Sequence, residues 1–98
     1  MNQDSLIAKE KIHQETSKIE WSALQRFFAS GLAVYIAPEL DLVTAADAFA
    51  LDDKTQVSQW MENKQVHLVS DQQASQWIEK DDILWAVVVK PWILVQAI

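Results

Sequence analysis

The hydrophobic pattern changes its period along the chain. Trp21, Leu24, Phe27 and Phe28 recur at helical spacing. Ser22, with Gln25 three residues on, reads as a capping box opening that helix. Gly31, the single glycine, follows where a left-handed residue often ends a helix. Leu32 to Ala37 is a short apolar strand stopped by Pro38. Asp41 caps a further helix whose inward positions are Leu42, Val43, Ala46, Phe49 and Ala50. Asp53 opens the next, with Val57, Trp60 and Met61 on one face and Asn63 at its close. Val66, Leu68 and Val69 make a second strand. Ser70 and Gln73 form another capping box, before a helix carrying Ala74, Trp77 and Ile78. Upstream, Asp4-Ser5 can cap a first helix running to about Ser17, with a narrow stripe of Ala8, Ile12 and Ile19.

The longest apolar run is Ile83 to Val95, broken only by Lys90 and Pro91. Its β-branched and aromatic residues suit a strand, and its lack of strict alternation predicts cover on both faces. It is too short to cross a bilayer as a helix, which takes ~20 residues. Lys90-Pro91 is either a turn, with Trp92 to Ala97 returning antiparallel, or a bulge in one bent strand. Pro91 cannot donate to a sheet ladder, which disfavours a central position for it.

Strands separated by helices predict parallel, right-handed crossovers. The expected fold is therefore α+β, a mixed α/β arrangement. A mostly parallel mixed sheet of three or four strands is flanked by about five helices. Residues 1–98 form one domain. Trp60 and Trp77 occupy matching places in two similar segments, Gln56 to Glu62 and Gln73 to Glu79. Both are expected to pack from different helices around Val87.

Charge narrows the partners. The net charge is −6. Residues 1–30 are balanced, whereas residues 31–82 hold ten acids against three bases. No basic stripe exists for a phosphate backbone, so neither nucleic acid nor an anionic membrane surface is expected as a partner. Cysteine is absent, which excludes disulfides and thiolate chemistry. The N-terminal stretch has no apolar signal core, because Lys9, Glu10 and Lys11 interrupt it. Cytoplasmic location is the expectation.

Candidate chemistry is sparse. A chain with one glycine cannot carry a glycine-rich phosphate loop. No G-x-S-x-G elbow is present. Glu10 and His13 lie one helical turn apart but supply two metal ligands without a third. His67 alternates with Val66 and Leu68 and reads as a surface or partly packed residue. The pairs Asp52-Asp53 and Asp81-Asp82 read as helix caps and solubilising charge rather than as an acid–base pair. Trp21, Trp60 and Trp77 read as core, Trp85 as part of the buried strand, and Trp92 as the most exposed of the five. No catalytic residue, metal ligand or cofactor is expected.

One resemblance spans about Leu6 to Gln96. It is carried by Ile19-x-Trp21, Phe27-Phe28-Ala29-x-Gly31, Leu40-Asp41-Leu42, and Asp52-Asp53 with Val57-x-x-Trp60. The closing Pro91-Trp92-Ile93-Leu94-Val95-Gln96 is its most specific piece. The pattern is similar to a family of small bacterial proteins catalogued as domain of unknown function 2288. The resemblance implies a bacterial, cytoplasmic, single-domain protein, and it transfers no activity to any residue.

The functional expectation is a non-catalytic protein-interaction module that self-associates as a homodimer. Its basis is the uncharged stretch from Trp92 to Ile98, read as an exposed strand edge that invites pairing. The alternative is a small-polar-ligand-binding protein, or an enzyme of unrecognised type, with its site at the carboxyl ends of the strands. Ser70, Lys90 and Trp92 would hold the ligand, near Glu39, Asp41 and Asp71.

Overall fold

The computed structural model describes residues 16–98. In chain order these form β1 (Ser17–Glu20), α1 (Trp21–Ala29), β2 (Ala33–Ile36), α2 (Leu42–Ala50) and α3 (Lys54–Glu62). Then come β3 (Val66–Leu68), α4 (Asp71–Lys80), β4 (Ile83–Val89) and β5 (Trp92–Ala97). The helix expected from Asp4 lies outside the described residues, except at its end. There Ser17 and Ile19 already belong to a strand, so Ile19 is not part of a helical stripe.

Helix starts follow their caps. Asp41 accepts from the Thr44 backbone N–H at 2.9 Å, and Asp53 from that of Gln56 at 3.1 Å. Ser70 and Gln73 close the expected capping box, each side chain bonded to the other's backbone. The box expected at Ser22 does not form. β1 runs straight into α1, whose Trp21 N–H donates to the Asp82 carbonyl at 2.9 Å. Ser22 is thereby inside the first turn rather than ahead of it. Gly31 takes the expected left-handed conformation, φ 73°.

The strand order is β1-β4-β5-β2-β3. β2 and β5 are parallel, and every other neighbouring pair is antiparallel. The sheet is therefore mixed and five-stranded, not mostly parallel, and four helices flank it among the described residues. Two features account for the difference. Lys90-Pro91 makes a two-residue turn between the paired Val89 and Trp92, folding the long apolar run back on itself. Between β2 and β3 stand two helices rather than one. They return the chain to the end where β2 finished, and the Ala37 N–H meets the Gln65 carbonyl there at 2.8 Å.

β5 thus sits at the centre of the sheet, held by β4 on one side and β2 on the other. The stretch expected to be an exposed edge is interior, and Leu94 and Val95 have no exposed surface. Among the described residues the sheet edges are β1 and β3.

Alternation along the strands splits the core by face. Val34, Ile36, Val87, Val89 and Leu94 pack with α2 and α3, around Trp60. Ala33, Leu84, Ala86, Ile93 and Val95 pack with α1 and α4, around Trp21. Both faces are covered, as the run predicted. Trp60 and Trp77 nevertheless lie on opposite faces. Trp60 shares the cluster of Val87, while Trp77 packs at a tilt against Trp21 in the other, 5.1 Å between ring centroids. The two similar segments therefore dock on different sides of one sheet.

Candidate functional site

Asp53 caps α3, and the link before it turns through Asp52 in a left-handed conformation, φ 55°. The spacing of α3 then lines up Val57 and Met61 along one side. Across from them, β3 points Val66 and Leu68 to this face of the sheet, because strand side chains alternate. Trp92, the first residue of β5, sits half-buried between the two walls.

The result is a groove of about 250 Å³ lined by Val34, Phe49, Val57, Met61, Leu68 and Trp92 among others. Met61 and Leu68 are each about half exposed, at 51% and 52%. A second hollow of about 230 Å³ shares Phe49, Val57 and Trp92 with it and adds Asp52, Asp53, Lys54 and Ser58. The two adjoin at these shared residues and are taken together as a channel, apolar at the β3 end and charged at the α2–α3 link. Neither half reaches the ~300–1,000 Å³ of usual small-molecule sites. A shallower hollow of about 200 Å³ lies beside β1, between Leu42, Val43, Trp85 and Gln96.

β3 is an edge. Its register against β2 turns the backbone groups of His67 inward and those of Val66 and Leu68 outward. The Leu68 carbonyl is taken by His67, whose Nδ1–H donates to it at 2.8 Å. The His67 ring leans on Tyr35 across the ladder, 5.1 Å between centroids.

Of the residues expected to hold a ligand, Trp92 lines both parts of the channel. Ser70 and Lys90 lie at the same end of the sheet as Trp92, since β3 and β4 both finish there. Neither lines the channel, and the Ser70 hydroxyl accepts the Gln73 N–H at 3.1 Å. Glu39 and Asp41 follow β2, which runs opposite to β3, and so lie at the other end. Asp71 is the first residue of α4. Sequence reasoning passed over Met61 and Leu68. Each occupies the inward-facing phase of its element, and the pattern does not show that the element ends at an open edge.

Two buried polar atoms have no hydrogen-bond partner among the described residues, Trp21 Nε1 and Asp47 Oδ1. Neither residue lines the channel. No group of three or more His, Cys, Asp or Glu could hold a metal among the described residues, and Glu10 and His13 lie outside them. No helix among the described residues is long and apolar enough to cross a membrane.

The family model described as "Protein of unknown function (DUF2288)" matches residues 7–97. The chain belongs to this family. The chain is also similar to a solved structure, the NMR solution structure of PA1075 from Pseudomonas aeruginosa. That structure has a TM-score of 0.80 and 41% sequence identity, covering 88% of this chain and 80% of that one. No curated protein matches the chain.

Proposed function

We propose that this DUF2288 chain is a single-domain, non-catalytic docking module that holds an apolar segment of another polypeptide along the α3–β3 channel. The observation that carries this reading is the continuity of Met61, Leu68 and Trp92 beside an open sheet edge. An extended segment can add to such an edge through its backbone while its side chains enter the pockets alongside. A second copy of the chain is the competing occupant of the same site. With β5 interior, the edge open to a second copy on this face is β3, and two copies paired there about a two-fold axis would cover both channels.

Peptide display tests this. Random peptides are selected on the protein and counter-selected on a Met61→Glu, Leu68→Glu double variant. Both sites are half exposed, so the variant should melt close to the parent. The expected result is a set of peptides that bind the parent and not the variant, with NMR shifts confined to α3, β3 and Trp92. Peptides that fail to distinguish the two proteins would refute the docking site.

A second reading, a small polar ligand at Ser70, Lys90 and Trp92, draws support from their shared end of the sheet. Its supporting result is an NMR titration in which a small carboxylate or phosphate moves all three residues together. Lys90→Ala should then remove that response.

A further inference from the structure

Resting on the docking reading above, we infer that the occupant of the channel is an extended segment of a different protein, with apolar side chains next to a lysine or arginine. The apolar residues lie over Met61 and Leu68, and the basic side chain crosses Trp92 to reach Asp52 and Asp53. The argument is one of charge and continuity. Every lining residue of the channel except Trp92 comes from residues 31–82. That stretch holds ten acids against three bases. The charged end carries Asp52 and Asp53 against Lys54. Lys54 comes no nearer than 3.9 Å to Asp52, and both side chains are about four-fifths exposed, at 83% and 79%. Such a pair is weak, and it leaves the acidic character of that end in place. Asp53 spends one carboxylate oxygen on the Gln56 N–H. Trp92 lies where the apolar and acidic parts meet, and an indole face attracts a cation. A second copy would bring this same acidic surface against itself, so a basic segment fits better.

The test uses the full chain and three ten-residue peptides that share an alternating Val-Thr core. They end in Lys-Arg, Ser-Ser or Glu-Glu. The Lys-Arg peptide should bind tightest, by about tenfold over Ser-Ser, and should weaken between about 50 and 500 mM salt. A double Asp52→Asn, Asp53→Asn variant should remove that tenfold. Asn caps helices as well as Asp and tolerates the left-handed conformation, so the fold is kept.

Equal binding of all three peptides, or selected peptides without basic residues, would overturn the inference and leave the docking site standing. If no peptide binds, designed or selected, both fall. A dimer by sedimentation at about 100 μM that Leu68→Glu dissolves would make the occupant a second copy. A spin label at Asn2→Cys that broadens Met61 and Leu68 in dilute protein would make it the chain's own first residues. Either result overturns the inference.

Discussion

Asp81 caps a helix to which it does not belong. Its carboxylate accepts from the Ser22 backbone N–H at 2.9 Å and from the Ser22 hydroxyl at 3.1 Å. The residue at the start of α1, Glu20, makes no side-chain cap bond of its own. The cap arrives instead from the end of α4, where Asp81 closes that helix in a left-handed conformation, φ 48°. One residue thus terminates one helix and begins another, tying α4 to α1 on the same face of the sheet.

Asp81→Ala should therefore cost about 1–2 kcal/mol, from a lost cap and from a β-carbon in a left-handed position without polar compensation. Asp81→Gly loses the cap but relieves the backbone, so it should cost less than Ala. Asp81→Asn keeps both features and should cost least. Thermal melting decides the order, with Ala falling roughly 5–10 °C. An Asp81→Gly protein less stable than Asp81→Ala would show that backbone strain plays no part.

The caps show what was legible in the sequence. Asp41, Asp53, Ser70 and Gly31 act within three residues of their positions, and each does what its local pattern announced. Ser22 fails because its N–H partner lies 59 residues away in the chain. The same division holds for the strands. β4 was read from its apolar run, but its neighbours depended on whether Lys90-Pro91 turned or bulged. That turn decides that β5 is central, and with it which edge is open. The channel is formed by Met61 and Leu68, which meet across two elements and one sheet edge. Trp92 could be picked out as half-exposed. The groove it lines could not, because no local spacing encodes the α3–β3 neighbourhood.

The placement of Trp60 and Trp77 on opposite faces has an energetic consequence. Trp60 is 8% exposed among Val34, Val66 and Val87, and Trp77 is half-buried against Trp21 and Tyr35. Trp60→Ala should cost about 3–5 kcal/mol and Trp77→Ala less, because more of its ring is already in water. Substitution by Phe is gentler, about 1–2 kcal/mol each, and permits a double mutant. The clusters share no residue, so the two effects should add to within about 0.5 kcal/mol in urea unfolding. A larger coupling would mean that the sheet transmits packing changes from one face to the other.

Gln96 joins the centre of the sheet to the loop after β2. Its side-chain Nε2 donates to the Ala37 carbonyl at 2.9 Å and to the Leu40 carbonyl at 2.6 Å, in a partly buried setting. Both partners are acceptors, so the position requires a donor. Gln96→Glu puts a carboxylate against two carbonyls and should cost about 2–3 kcal/mol at pH 7. Gln96→Leu removes the donor and leaves two carbonyls short of a bond, for about 1–2 kcal/mol. Only the Glu variant should respond to acid. Facing two carbonyls, its carboxyl gains a bond when protonated, so its folded-state pKa lies above the ordinary ~4.3. A group raised in this way is most favourable to folding below its unfolded pKa, and that contribution is lost as the pH rises through the folded value. The stability gap between Gln96→Glu and the parent should therefore narrow as the pH falls toward 4, while the Gln96→Leu gap stays level. Urea midpoints measured from pH 4 to pH 7 read both gaps. A Glu gap that does not change with pH would mean that the loop carbonyls have turned away, and that this bond does not hold the loop to β5.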